Sequence, residues 1–220
     1  MGNLNNPSFA EYKISTDLLQ RSTATQSVWN LVAISTGAFG AGPELTHPGV
    51  GIHKSSTSAN SGFGLMCDVF GIILGGGEKT TIIFKTEATL TDITRRMGFH
   101  TTLNITAPTD GAYCKIADGV LTGQTAKGSA ASTTGSNYSL SPGTWYRLVI
   151  ELNTNATLVT FTLFADNSST VLWQDTLNTN IPTGTIGHGD VCTMGSPGAV
   201  TALGRLDYID VVFPQARRIS

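Results

Sequence analysis

The chain has 220 residues, a net charge of −2 and only 13% Asp, Glu, Lys and Arg. Charged residues usually make up about a quarter of a soluble protein, so Thr, Ser, Asn and Gly must supply most of the polar surface here. No block of Lys or Arg provides the positive field that holds a nucleic-acid backbone, so nucleic acid is not a predicted partner.

Membrane and secretion signals are also missing from the sequence. The N-terminus has no basic start followed by an apolar run, and no stretch of about 18 consecutive apolar residues occurs. We therefore expect a protein that is made in the cytoplasm without a signal peptide and without membrane insertion.

The pattern of the chain changes after its first 27 residues. Residues 1–27 are polar and carry no sustained period, which predicts an extended N-terminal arm. "VWNLVAI", from Val28, then reads as the first core strand. The following "STGAFGAGPELTHPGV" is so rich in Gly and Pro that it predicts a long surface loop.

Three further strands are predicted in "FGLMCDVFGIIL", "TTIIFKTEATL" and "RRMGFHTTLNI", which are apolar or alternating. A strand-like run follows the triple glycine Gly75–Gly77, with neither GK[ST] nor a helix. This favours a hairpin turn over a phosphate-binding loop.

The middle of the chain alternates between short strands and polar stretches. "DGAYCKIADG" places Tyr113 in a short strand between two Asp-Gly turn signals. "VLTGQTAKGSAASTTGSNYSLSPG" holds too few apolar residues for a core element, so it predicts a long loop or a strand pair at a sheet edge.

Residues 141–176 predict an antiparallel meander of three strands. In "WYRLVIEL" the residues Trp145, Arg147, Val149 and Glu151 fall on one face, and the alternate residues, beginning with Tyr146, fall on the core face. "LVTFTLFA" alternates in the same way, and "VLWQDT" returns after the turn "DNSST".

The last part of the chain combines a glycine-rich stretch with a closing strand. "GTIGHGDVCTMGSPGAV" is predicted as a loop that carries His188 and Asp190. "LGRLDYIDVVFP" is predicted as a strand, on which Asp207 and Asp210 should point to opposite faces.

Turns thus recur every eight to twelve residues, and no segment shows a convincing helical period. The predicted fold is an all-β antiparallel sandwich over residues 28–214, between the arm at 1–27 and a tail at 215–220.

Two stretches resemble a known superfamily. "GTWYRLVIELNTNATLVTFTLFADNSSTVLW" and "LDYIDVVF" are similar to the strand trio and the closing strand of concanavalin A-like jelly rolls. This fold is shared by legume lectins, laminin-G modules and family 16 glucanases, so the resemblance implies fold more than function.

The Thr- and Asn-rich turns from Ala107 to Phe213 resemble those of a second class, the jelly rolls of tailed-bacteriophage virion proteins. This resemblance implies a non-enzymatic structural role in a virion, as head decoration, head fibre or tail adhesin. It also implies a homo-oligomer, with the arm joining other virion proteins.

An enzyme is the weakest of the functional hypotheses. Glycoside hydrolysis needs two carboxyl groups that face each other across the substrate, and the E-x-D-x-E pattern of family 16 is absent. No zinc-type histidine spacing and no G-x-S-x-G motif occur either. A polysaccharide hydrolase or lyase therefore stays only as an alternative.

A glycan-binding adhesion module for a host cell surface is the other open hypothesis, since exposed aromatic rings can stack on sugars. The candidate glycan-facing residues are Tyr113, Trp145, Tyr146, Trp173, His188 and Asp190, with core packing as the alternative reading of the rings.

No cofactor motif is present in the sequence. Calcium remains an alternative because "TDGAY", "ADG" and "GHGD" each supply an Asp, although the D-x-[DN]-x-[DN]-G pattern is missing. Cys67, Cys114 and Cys192 form no CxxC motif and are predicted to be reduced, buried thiols.

Overall fold

The computed structural model describes residues 11–17, 30–35, 37–44, 46–54, 58–100, 106–195 and 203–214. The regular structure of these residues is entirely β. The strands are β1 (Glu11–Asp17), β2 (Asn30–Ile34), β3 (Ala38–Glu44), β4 (His47–Lys54), β5 (Ser61–Ile73), β6 (Lys79–Lys85), β7 (Ile93–His100), β8 (Gly111–Ala117), β9 (Val120–Lys127), β10 (Ala130–Thr133), β11 (Tyr138–Ser139), β12 (Trp145–Leu152), β13 (Val159–Ala165), β14 (Val171–Leu177), β15 (Thr185–Met194) and β16 (Gly204–Pro214).

Two antiparallel sheets of eight strands form the sandwich. The meander sheet has the order β14-β13-β12-β6-β16-β4-β3, with β1 also paired to β16. The second sheet has the order β10-β9-β8-β7-β15-β5-β2, with β11 also paired to β9. The predicted all-β antiparallel sandwich is confirmed.

The main core lies between the sheets and is built by alternation. β6 alternates half-buried and buried residues along its whole length, since successive side chains on a strand point to opposite faces. Its inward Ile82 and Phe84 pack in one cluster with Met97 from β7 and with Ile150 and Phe161 from the meander. These five side chains are fully buried, so they supply apolar burial that stabilises the sandwich.

Two glycine-rich stretches form strands, which corrects the loops predicted from their composition. "STGAFGAGPELTHPGV" contains the hairpin of β3 and β4, and "GHGD" lies inside β15, between β5 and β7. A Cβ atom at Gly189 would lie 2.1 Å from the Met66 sulfur. Glycine at this position allows the close approach of neighbouring strands and does not mark a turn.

The triple glycine Gly75–Gly77 is also not a hairpin turn. It follows β5 in the second sheet and precedes β6 in the meander sheet, so it carries the chain from one sheet to the other. Gly76 has a φ of +115°, and a Cβ there would lie 1.9 Å from the Thr154 carbonyl oxygen. The Glu78 carboxylate accepts hydrogen bonds from the Gly75 and Gly76 amides at 2.9 and 2.8 Å.

Part of the predicted N-terminal arm is strand β1, which pairs with β16. Residues 1–10, 18–29 and 215–220 lie outside the described residues, so the predicted domain boundaries stay predictions. No helix long and apolar enough to cross a membrane is found in the described part of the chain.

Candidate ligand-binding face

The outer face of the meander sheet carries a mixed set of aromatic, charged and hydroxyl side chains. β12 turns Trp145, Arg147, Val149 and Glu151 to this face, while Tyr146 and its alternates point into the core. The two faces predicted for β12 are therefore confirmed. Strand register fixes which side chains from neighbouring strands stand beside these four.

One row of side chains crosses four adjacent strands on this face. Arg147 lies opposite Phe164 on one side and Ile83 on the other, and Ile83 lies opposite Tyr208. All four side chains are half-buried. The Arg147 guanidinium carbon lies 3.9 Å from the centroid of the Phe164 ring. This row places two aromatic rings and a cation at the middle of the face.

An ion network around Glu44 lies towards one end of the face. Its carboxylate accepts hydrogen bonds from Lys85 Nζ at 2.9 Å, from Trp145 Nε1 at 3.1 Å and from Arg205. Partial burial by itself would raise the pKa of Glu44, but the hydrogen bonds from Lys85 and Trp145 and the charge of Arg205 lower it. The hydrogen bond from Arg205 to Glu87, at 2.8 Å, raises the pKa of Arg205.

His47 covers the indole of Trp145 at the same end. The two rings stack with centroids 3.7 Å apart. The two imidazole nitrogens contact carboxylates, Nδ1 with Asp207 at 2.8 Å and Nε2 with Asp166 at 3.2 Å. One face of the indole is therefore occupied by protein, which leaves Trp145 less ring surface for a ligand.

Asp207 and Asp210 do not point to opposite faces, contrary to the prediction for a regular strand. The pairing of β16 with β6 shifts between Leu206 and Tyr208, so Asp207 is an extra residue in the strand. It bonds His47 on the outer side, where Asp210 also accepts a 3.0 Å hydrogen bond from the Tyr208 hydroxyl. The bulge thus turns both carboxylates outward, each with its own partner.

A shallow groove of about 440 Å³ runs along the other end of the face. Arg147 and Phe164 are among its lining residues, as are Gln174 and Thr162, and Gln174 donates a hydrogen bond to Thr162 at 2.9 Å. Its remaining lining residues are Lys79, Val149, Glu151, Leu152, Asn153, Thr160 and Val171. The groove offers apolar contact, hydroxyl and amide groups, and charge within one open space.

The other candidate aromatic residues from the sequence are buried. Tyr146 points into the core, where its hydroxyl oxygen accepts a 2.8 Å hydrogen bond from the Ser141 amide. Trp173 also points inward and donates from Nε1 to Ser136 Oγ at 3.0 Å. Rings placed in the core offer no face to a sugar, so the glycan-facing prediction is wrong for these two residues.

Tyr113 lies on the outer face of the second sheet but is only 1% exposed. Its ring meets that of His100 edge-on, with centroids 5.7 Å apart, and Arg96 is buried on the same face. Burial raises the pKa of Tyr113 and lowers that of Arg96. The accessible groups of this face include Lys115 and Gln124, which are half-buried. A sugar therefore has no access to the Tyr113 ring.

His188 and Asp190 lie between the sheets and not in a loop. Asp190 receives hydrogen bonds from Arg95 at 2.8 and 2.5 Å, and His53 Nε2 lies 3.0 Å from it. Burial by itself would raise the pKa of Asp190, but Arg95 and His53 lower it well below its usual range. Burial raises the pKa of Arg95's neighbour Cys192 to about 12.

His188 is fully buried beside Phe99, with ring centroids 5.0 Å apart. Burial lowers its pKa from 6.5 to about 3, with a further lowering by His100. His188 is therefore neutral at pH 7. Neither His188 nor Asp190 can face a glycan from the interior, which corrects that prediction.

The cysteine prediction is confirmed, because Cys67, Cys114 and Cys192 are free and buried. The loop aspartates considered for calcium have other partners. Asp110 accepts from the Gly128 amide and Asp118 from the Asp92 amide. In the described part of the chain no three His, Cys, Asp or Glu side chains converge as metal ligands.

Residues 46–210 match the family model of the SO2946-like C-terminal domain. The chain belongs to this family. A crystal structure of SO2946, a protein of unknown function from Shewanella oneidensis MR-1, has a similar fold. Its TM-score is 0.76 at 24% identity, over 96% of this chain and 90% of that chain. No curated protein sequence matches this SO2946-like domain.

Two further solved structures share the fold of this SO2946-like domain. The Emp47p carbohydrate recognition domain has a TM-score of 0.59 at 17% identity, over 90% of this chain and 93% of that chain. The CBM2 module of the evolved Dit protein of Lactobacillus casei BL23 phage J-1 has a TM-score of 0.65 at 11% identity, over 95% and 98%. These similarities confirm the concanavalin A-like jelly roll.

Sequence reasoning missed most of the outer-face site of this SO2946-like domain. Trp145 was the one candidate placed there, while Arg147, Phe164 and Tyr208 were assigned only to strands. The alternation of inward and outward residues along β12 was enough to predict that Arg147 points outward. Its neighbours Phe164 and Ile83 follow only from strand register.

Replacing Asp190 with leucine should lower the free energy of unfolding by about 3–5 kcal/mol, because it leaves the Arg95 guanidinium buried without its carboxylate. The double variant Asp190→Leu/Arg95→Met should recover most of this loss, because an apolar pair of similar volume replaces the ion pair. Urea unfolding at pH 7 measures both. Losses that simply add in the double variant would contradict the ion-pair assignment.

His188 should make stability depend on pH. Its pKa in the folded protein, about 3, lies below the ordinary 6.5. As the pH falls, this histidine is therefore protonated in the unfolded chain before it is protonated in the folded protein. Between these two values the free energy of unfolding should fall by about 1.4 kcal/mol per pH unit on account of this group. His188→Leu should make the measured slope shallower by that amount between about pH 6 and 4. Equal slopes of the free energy of unfolding against pH in the wild type and the variant would contradict this role of His188.

Proposed function

We propose that this SO2946-like domain is a non-enzymatic glycan-binding module, and that it binds its ligand on the outer face of the meander sheet. The observation that carries the proposal is the row of Phe164, Arg147, Ile83 and Tyr208 beside the open groove. Arg147 and Phe164 belong both to this row and to the lining of the groove, where hydroxyl and amide side chains share a recess that is open to solvent.

Sugars have both apolar and polar surfaces, and this face offers partners for both. The C–H faces of a pyranose ring pack against aromatic side chains, while its hydroxyl groups need hydrogen-bond donors and acceptors. Tyr208 and Phe164 supply rings, and Thr160 and Gln174 supply hydroxyl and amide groups. The similarity to the Emp47p carbohydrate recognition domain supports the same class of ligand.

The partners of the carboxylates on this face support binding without hydrolysis. Glycoside hydrolysis uses one carboxyl group as acid and a second as base or nucleophile, both facing the substrate. On this face Glu44 is bonded to Lys85, Glu87 to Arg205, and Asp207 to His47. Carboxylates held in ion pairs are poorly placed to protonate or attack a glycosidic bond. We therefore propose a binding role in preference to a depolymerase.

Removing a ring from the face should weaken glycan binding at least about tenfold, since aromatic anchors dominate binding energy. We expect Tyr208→Ala to lose binding on a glycan array that displays host envelope sugars, with the protein presented multivalently. Gln124→Ala is the matched control, because Gln124 is half-buried on the outer face of the second sheet. Loss of binding in the control alone would contradict this face, and no binding by the wild type would contradict the function.

As a second candidate, we propose that the domain is a component of a tailed-phage virion, in its head or its tail. The similarity to a CBM2 module of a phage Dit protein supports this proposal. The domain would then be presented in several copies, which compensates for weak single-site glycan affinity.

A virion component of this kind should form a homo-oligomer, with residues 1–27 joining it to other virion proteins. Light scattering of the full chain should give a mass that is a multiple of 23.1 kDa. A variant without residues 1–27 should no longer associate with particles in an incorporation assay. A strict monomer, or undiminished association of the shortened chain, would contradict this role.

A further inference from the structure

We infer that the groove binds an acidic sugar unit, and that the Arg147 guanidinium pairs with the sugar carboxylate. The inference rests on the proposed glycan-binding function and names the chemical class of its ligand. The evidence for it is the distribution of charge on the face and the contacts that position the Arg147 side chain.

Arg147 stands apart from the other cations of this face. Lys85 pairs with Glu44 at 2.9 Å, Lys79 with Glu151 at 3.6 Å, and Arg205 with Glu87 at 2.8 Å. No carboxylate among the described residues forms an ion pair with Arg147. The charged residues that line the groove are Lys79, Glu151 and Arg147, which leaves the positive charge of Arg147 unbalanced. An anionic ligand would complement that charge.

The guanidinium is nevertheless held in place. It stacks on the Phe164 ring at 3.9 Å and donates one hydrogen bond, from Nη2 to the Ser168 carbonyl oxygen, at 3.0 Å. A guanidinium has five N–H donors, so most of them remain for a ligand. A side chain that is already positioned loses less conformational entropy on binding, which favours a specific contact.

A carboxylate fits this arrangement better than a tetrahedral anion. Two parallel N–H groups at the edge of a guanidinium match the two oxygens of a carboxylate in one plane. The Phe164 ring covers one flat side of the guanidinium, so a ligand reaches it mainly through its edge. The same recess has Thr160 and Gln174 for sugar hydroxyls and the half-exposed Val171 for apolar contact.

The test uses an array that displays uronic-acid and sialic-acid glycans beside neutral counterparts and sulfated glycans. We expect the bound members to carry carboxylates. Chemical reduction of the carboxyl groups of the strongest binder should weaken its binding at least tenfold in biolayer interferometry with the full chain. Raising the salt concentration should also weaken binding, since a solvent-exposed ion pair is screened.

Variants assign the effect to one residue. Arg147→Ala should remove the preference for the carboxylated glycan over its reduced form, and Arg147→Lys should restore it only in part because lysine lacks the planar fork. Lys115→Ala is the matched control, since Lys115 lies half-buried on the outer face of the second sheet. Urea unfolding confirms that each variant is folded.

The outcomes separate this inference from the proposed function. Binding to neutral or sulfated glycans that depends on Tyr208 but not on Arg147 would overturn the acidic-sugar inference and leave the glycan-binding function standing. Binding to no glycan on the array would overturn both.

Discussion

The buried ion pair between Arg95 and Asp190 is the interaction on which the outer face of the meander sheet depends. Both residues belong to the second sheet, but the Arg95 guanidinium also donates to the Lys85 and Arg205 carbonyl oxygens of the meander sheet, at 3.4 and 3.1 Å. His53 reaches Asp190 from the meander sheet as well. A buried charge without a partner costs several kcal/mol, so these contacts restrict how the two sheets can sit relative to each other.

Lys85 and Arg205 of the meander sheet connect the interior of the sandwich to the outer face of that sheet. Lys85 and Arg205 receive Arg95 through their carbonyl oxygens, while their side chains reach Glu44 on the outside. Glu44 also holds the indole of Trp145, which is covered by His47. A change in the Arg95–Asp190 pair should therefore disturb the ion network around Glu44, because close-packed interiors transmit strain.

The contrast between the two ends of that face supports the proposed function. At one end, Lys85 and Arg205 form ion pairs with Glu44 and Glu87. From the middle of the face to its other end, the groove contains the aromatic ring of Phe164, hydrogen-bonding side chains and the charge of Arg147. Lectin-like jelly rolls serve many functions, so the argument for glycan binding has to come from this groove and not from the fold.

The sequence by itself determined the all-β sandwich, the inward and outward faces of β12 and the buried thiols, since alternation and turn chemistry are local properties. It did not reveal that the glycine-rich "GHGD" forms a strand, because Gly189 in this stretch makes room for the close approach of Met66 and does not form a turn. Nor did it place Asp190 in the interior, because the partner that allows a carboxylate to be buried lies 95 residues away in the chain. The tertiary structure alone decided that Ile83 and Tyr208 continue the row of Phe164 and Arg147, because β12, β6 and β16 are distant in sequence and their register depends on the packing of the whole sheet.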